Sequence, residues 1–191
     1  MRRRAIHAAA PLSVWLALAS ATAVTSASAQ PLAAPPQVLQ ELAPGLRAAG
    51  AGRLRWFGLD LYEARLWTEP GFRAGSALRH RLMLELTYRR AFRSADIARR
   101  SLAEMERAAP LAVDDAARWS AELRRVLPDV QPGDRVSGVH LPDRGAIFFV
   151  NGQLAGRIDD GRFSERFFGI WLAATTSEPA LRAALLAGSP P

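Results

Sequence analysis

The chain of 191 residues contains no cysteine and no lysine, and its histidines stand only at positions 7, 80 and 140. Without a thiol there is no disulfide framework and no cysteine nucleophile, and no lipid-anchored lipoprotein is expected, because that modification attaches to a cysteine. His80 and His140 each stand alone on an expected strand, a pattern of ordinary strand positions near a surface rather than of metal ligands. No His, Asp and Glu set has metal-ligand spacing, and neither a Gly-x-Ser-x-Gly elbow nor a phosphate loop occurs. Gly50-Ala51-Gly52 lacks the third glycine and the following helix of a dinucleotide fingerprint. Metal, nucleotide and serine-hydrolase chemistry are therefore poor readings, and no cofactor or metal is expected.

All 25 basic residues are arginine, and the formal net charge is +7. Missing lysine beside abundant Ala, Gly, Pro and Leu is the composition of a GC-rich genome, so the charge is not by itself a nucleic-acid signature. Arg2, Arg3 and Arg4 precede an apolar run from about Ala8 to Val24, followed by small residues ending Ala27-Ser28-Ala29. That order is the one expected of a secretory signal peptide cleaved after Ala29. The run carries Pro11 and falls short of the about 20 apolar residues a spanning helix needs. Residues 30–45, with Pro31, Pro35 and Pro36, read as an extended lead-in, and 46–188 as one domain, periplasmic or secreted. The first 29 residues hold three arginines and no acid, so the remaining 162 carry 22 arginines against 18 acids, or +4. With 49% apolar and 23% charged residues, the chain is not a disordered tail. No nucleic acid and no membrane span are expected for the mature chain.

From Arg53 to Trp67 apolar and polar residues alternate, which predicts one long half-buried strand with Leu54, Trp56, Gly58, Asp60, Tyr62, Ala64 and Leu66 on one face. Thr68–Ala77 reads as a loop and His80–Tyr88 as a second strand. Ser94 is the expected N-cap of a helix reaching about Arg107, and a second helix between Pro110 and Pro128 shows Ala116, Trp119, Leu123 and Val126 on one face. Strands return at Arg135–Leu141, Ala146–Val150 and Gln153–Ile158. The last two are joined by Asn151-Gly152, a dipeptide suited to the positive φ angles of a type I′ turn. Asp159 or Asp160 caps a helix carrying Phe163, Phe167, Ile170, Trp171 and Ala174, and Pro179–Leu186 forms a last helix. The order predicts an α+β fold with helices packed on an antiparallel sheet.

Asp60 and Tyr62 lie on the apolar face of the first strand, with Arg53 and Arg55 at its start. A carboxylate and a phenol there either line a cavity, or Asp60 marks a bulge beyond which Leu59 and Leu61 turn inward. The stripe Phe163, Phe167, Phe168, Trp171 is either core or one wall of an apolar pocket.

Gly50-Ala51-Gly52-Arg53, Arg55-Trp56-Phe57-Gly58, Leu61 to Trp67, Leu86-Thr87-Tyr88-Arg89-Arg90, Gly133-Asp134, Asn151-Gly152 with Gly156, and Phe167-Phe168-Gly169-Ile170-Trp171-Leu172 form an ordered series. In that series the chain resembles the bacterial chalcone isomerase-like proteins. The resemblance implies an open-faced β-sandwich, an antiparallel sheet with a helical layer and a ligand cleft between them. It covers plant enzymes that cyclise chalcones to flavanones by intramolecular oxa-Michael addition, and non-catalytic members that bind fatty acids. In the enzymes an early arginine steadies the attacking phenolate, and threonine and tyrosine side chains hydrogen-bond the ketone or an ordered water. Arg53 or Arg55 stands near that arginine's place and Tyr62 about where the threonine falls, but Ile97 and Glu104 hold the places of the later tyrosine and asparagine.

An aliphatic side chain cannot donate to a developing enolate, so the isomerase set is incomplete. The resemblance therefore implies a non-catalytic protein that binds a small amphipathic molecule, a fatty acid or an aromatic acid, and the signal-peptide pattern makes it an exported one. Arg53 or Arg55 would hold the head group, Asp60 and Tyr62 would stand beside it, and Phe167 and Trp171 would meet the apolar body. An intramolecular lyase of the isomerase type and an envelope partner-binding module remain as alternatives, the latter using the +4 surface against anionic head groups or an acidic protein.

Overall fold

The computed structural model describes residues 44–191; the expected signal peptide and residues 30–43 of the lead-in lie outside the described residues. Six strands form one antiparallel meander in chain order: β1 Arg47–Trp56, β2 Leu59–Thr68, β3 Leu82–Tyr88, β4 Arg135–Leu141, β5 Gly145–Val150 and β6 Gln153–Ile158. A 3-10 segment, Ala74–Arg79, interrupts the expected loop before β3, so the strand begins at Leu82 rather than His80. The helices are α1 Ser94–Ala108, α2 Val113–Val126, α3 Gly161–Leu172 and α4 Pro179–Leu185.

The stretch from Arg53 to Trp67 is two strands rather than one. Phe57 and Gly58, with φ of 47° and 78°, form the turn, and Trp56 pairs with Leu59. Two successive positive φ angles are type I′ geometry, also adopted by Asn151 and Gly152 at 51° and 85°. Phenylalanine does not signal such a turn, since the left-handed region costs an ordinary L residue about 1–2 kcal/mol. A register shift hid the break as well. Arg55 pairs with Asp60 and Leu54 with Tyr62, so Leu61 is an extra residue in β2. Beyond this bulge the even-numbered Tyr62, Ala64 and Leu66 share the face of the even-numbered Gly50, Gly52 and Leu54, which reproduces the alternation of a single strand. Before it Asp60 falls on the side of Arg55 and Leu59 on that of Trp56, so Asp60 is not on the face expected for it.

The even face carries the helical layer. Ala64, Leu66, Leu82, Leu84, Phe148, Trp119, Leu123, Phe163 and Phe168 are buried in one cluster. Each fully buried aromatic or leucine there contributes about 1.5–3 kcal/mol. Asp160 caps α3, accepting from the Phe163 N–H at 3.1 Å and from the Trp119 indole N–H at 3.0 Å. Ser94, expected as a cap, is instead the first helical residue of α1, and its N–H donates to Asp129 Oδ1 at 2.8 Å. α3 ends at Leu172, leaving Ala174 outside it. Helix α4 lies against β1 so closely that a Cβ at Gly50 would overlap the carbonyl oxygens of Ala184 and Leu185.

The odd face is more apolar than the alternation implies. Leu46, Trp67, Met83, Val139 and Phe149 form a second buried cluster there, and Glu85, expected on the outer side, is buried and accepts from the Ser137 hydroxyl at 3.1 Å.

Candidate functional site

The six candidate residues separate into two groups. Leu54 and Tyr62 oppose each other on the helix-facing side, whereas Arg53 opposes Glu63 on the other side, so Arg53 and Tyr62 point away from each other across the sheet. Tyr62 accepts a hydrogen bond from the Trp171 indole N–H at 2.9 Å, and its ring meets Tyr88 edge-on at 6.0 Å. Burial pushes the Tyr62 phenol well above its ordinary value, and burial does the same to Tyr88. Phe167 stacks on Phe163 at 5.5 Å and meets Phe148, Phe168 and Trp171 at its edges. It and Trp171 are each 7% exposed, so this aromatic stripe is packed between sheet and helix.

Arg55 and Asp60 stand in water at the β1–β2 end, where the Arg55 Nε donates to Asp60 Oδ1 at 2.6 Å. That hydrogen bond, joined by the charges of Arg53 and Arg89, holds the Asp60 carboxyl below its usual range. Arg53, Gly58, Leu59, Asp60, Arg89 and Arg90 line a depression of about 430 Å³. Arg89 is positioned by its own N–H, which donates to the Leu61 carbonyl at 2.9 Å, and its guanidinium reaches Glu63 at 3.1 Å. Arg89 and Arg90 carry no local sequence signal of a site; strand pairing alone sets them just past the end of β3, where the bulge of β2 turns toward them.

Glu104 is buried on α1. Burial raises its carboxyl pKa, but hydrogen bonds from Arg107 and Ser177 with the nearby Arg100 charge outweigh this and hold it below the usual range. Its oxygens are thus spent on joining α1 to the segment before α4, and Ile97 beside it packs against the core.

His140 is not near a surface: it is 1% exposed, with Nε2 at 2.9 Å from the Leu78 carbonyl and Nδ1 at 2.6 Å from Ser164 Oγ. A carbonyl only accepts, so Nε2 carries the proton and the Ser164 hydroxyl donates to Nδ1. Ser164 is fully buried and its proton faces His140, so the pair supports the fold and offers no nucleophile. His80 lies between Glu69 and Ser76, each at 3.3 Å. Among the described residues no group of three or more His, Asp and Glu side chains is placed to hold a metal ion, and no helix is long and apolar enough to cross a membrane.

A single antiparallel meander carrying its helices on one face is an open-faced β-sandwich. The family model described as chalcone isomerase-like matches residues 36–187, and the chain belongs to that family. It is 28% identical over 137 residues to an uncharacterised protein of Haemophilus influenzae, a match covering 72% of this chain and 66% of that protein, just under two thirds of the relative's length. Among solved structures it is similar to a fatty-acid binding protein of Arabidopsis thaliana, with a TM-score of 0.58 and 10% identity over 74% of this chain and 87% of that one. At that identity the likeness is one of fold.

Proposed function

We propose that this protein is an exported, non-catalytic binder of a small amphipathic acid, with the depression at the β1–β2 end as the seat of the carboxylate. The observation that carries the reading is that three arginines, Arg53, Arg89 and Arg90, line a depression whose one lining acid, Asp60, is paired with Arg55; Arg89 also pairs with Glu63, and Arg53 and Arg90 make no ion pair among the described residues. Arginine presents a planar pair of donors that matches a carboxylate, and grouped guanidinium groups favour an anion over a neutral ligand. The structural neighbour is described as a fatty-acid binding protein, which supports the same ligand class. Tyr62, hydrogen-bonded to Trp171 on the opposite face of the sheet, lies outside this depression and takes no part in holding the head group. The places of the isomerase tyrosine and asparagine are taken by Ile97, which cannot donate, and by Glu104, whose oxygens are occupied, which supports the non-catalytic reading.

The test is mass spectrometry of lipids co-purified from the native host, joined to titration with long-chain fatty acids. The expected result is bound acid, a rise in melting temperature on its addition, and about tenfold weaker binding in Arg53→Ala and Arg89→Ala. A clean apo protein with no thermal shift overturns the reading. Chalcone should lose absorbance no faster with the protein than in buffer.

A further inference from the structure

The tip of the β1–β2 hairpin is built against the interests of folding. Trp56, Phe57 and Leu59 are 61%, 85% and 45% exposed, the two aromatic rings lying edge to face at 4.8 Å. Phe57 holds positive φ, a conformation in which glycine or asparagine is better tolerated, and its ring gains no burial in return. Around this knuckle stand Arg53, Arg55, Arg89 and Arg90. Asp60 is held by Arg55, and Glu63 by Arg65 and Arg89, while Arg53 and Arg90 make no ion pair among the described residues. The end of the sheet therefore presents apolar side chains at its apex and an excess of positive charge behind them.

We propose that this hairpin tip docks the protein on an anionic lipid surface, Trp56, Phe57 and Leu59 entering the boundary between head groups and acyl chains while Arg53, Arg55 and Arg90 meet lipid phosphates. Three observations select a lipid surface over a protein. First, three side chains amount to roughly 600 Å² at most, against the about 800 Å² per partner of a stable protein interface. Second, the three exposed side chains sit on and beside a two-residue turn at the end of a hairpin, a narrow tip of the kind that enters a soft interface. Third, aromatic residues flanked by basic ones match the chemistry of the bilayer boundary, where amphipathic rings partition and guanidinium groups pair with phosphate. Arg53, Arg90 and Leu59 also line the carboxylate depression, whereas Trp56 and Phe57 do not, so these two are the residues whose replacement separates docking from ligand binding.

Because the chain has no cysteine, a single introduced one is labelled uniquely. Leu59→Cys carries an environment-sensitive fluorophore at the tip, and Val113→Cys, 83% exposed at the start of α2, carries it away from the tip. Each full-length chain is mixed with vesicles of phosphatidylethanolamine containing phosphatidylglycerol, or with neutral phosphatidylcholine vesicles. The expected result is a blue-shifted, brighter signal from the Leu59 position on anionic vesicles alone, weakened by salt as the Debye length contracts from about 10 Å to about 3 Å between about 0.1 and 1 M. The Val113 position should not respond. In the unlabelled chain, replacing Trp56 with Ser and Phe57 with Asn together should weaken vesicle association about tenfold while fatty-acid binding is retained. Equal responses at both positions, no response at the tip, or vesicle association unchanged in the double variant would each overturn the proposal, and fatty-acid binding that survives such a result leaves the ligand-binding reading intact.

Discussion

His140 sits where the core meets a titratable group. Burial disfavours its charged form, so its folded pKa lies below the ordinary 6.5, while the unfolded chain keeps the ordinary value. Above about pH 6.5 both states are neutral at this ring and stability is complete. Below it the unfolded chain binds the proton first, and stability falls by up to about 1.4 kcal/mol per pH unit until the folded pKa is reached. Urea melts between pH 7 and 5 should show that slope, and His140→Gln should flatten it. The carboxyls of Glu104, Asp115, Asp134 and Asp160, all held below their usual range, contribute stability that is present above about pH 4 and lost at more acid pH, a separate window. At the hairpin tip the sign of a substitution is reversed from the usual one. Phe57→Asn relieves a positive φ without losing burial, so denaturant unfolding should show a gain of about 1 kcal/mol. A loss would mean that the ring packs in a way its exposure denies.

The elements meet through close contacts that tolerate little extra volume. Helix α4 reaches β1 because Gly50 has no side chain, and the chain end is tied down by the Gly188 N–H donating to the Ala49 carbonyl at 2.9 Å. Gly50→Ala should cost about 1–3 kcal/mol in urea denaturation, with faster amide exchange in β1 and α4 than elsewhere. At the other side of the layer, Asp160 joins two helices: it caps α3, and on α2 it accepts from the Trp119 indole and pairs with Arg118 at 2.8 Å. Asp160→Ala removes the cap and leaves a buried indole N–H without its acceptor. A loss of about 2 kcal/mol is expected from thermal or urea melts, whereas Asp159→Ala, on an exposed neighbour, should be nearly silent.

Across the whole molecule, the chain's two tyrosines mark the joint between sheet and helices. Tyr62 and Tyr88 face each other on β2 and β3, held from the helical side by Trp171 and by Phe92, whose ring lies 5.7 Å from that of Tyr88. Burial raises both phenols well above the ordinary value of 10. A raised folded pKa gives stability that is complete below about pH 10 and lost as pH rises beyond it, because the unfolded chain ionises first. Phenolate absorbance should therefore stay absent near pH 10 and appear only together with the loss of circular dichroism, in one cooperative step. Phenolate forming while the fold persists would show that the two layers part locally.

Turn chemistry and periodicity made most of the C-terminal half legible. Pro132-Gly133-Asp134 and Asn151-Gly152 have local conformations that their residues prefer, so β4 and β6 lie within their expected limits and Trp119, Leu123 and Val126 face inward as their spacing requires. The first hairpin was not legible, because phenylalanine does not announce a left-handed turn and the Leu61 bulge preserved the alternation. The same limit applies to the candidate site. Residue types and neighbours along the chain identified Arg53, Arg55, Asp60 and Tyr62, but which of them share a face depends on one extra residue in β2. Only strand pairing put Tyr62 with Trp171 inside and Arg53 with Arg89 and Arg90 outside. Local preference and period are short-range properties that a sequence carries by itself; facing, close approach and the sharing of a charge are set by distant segments, and so by the tertiary structure alone.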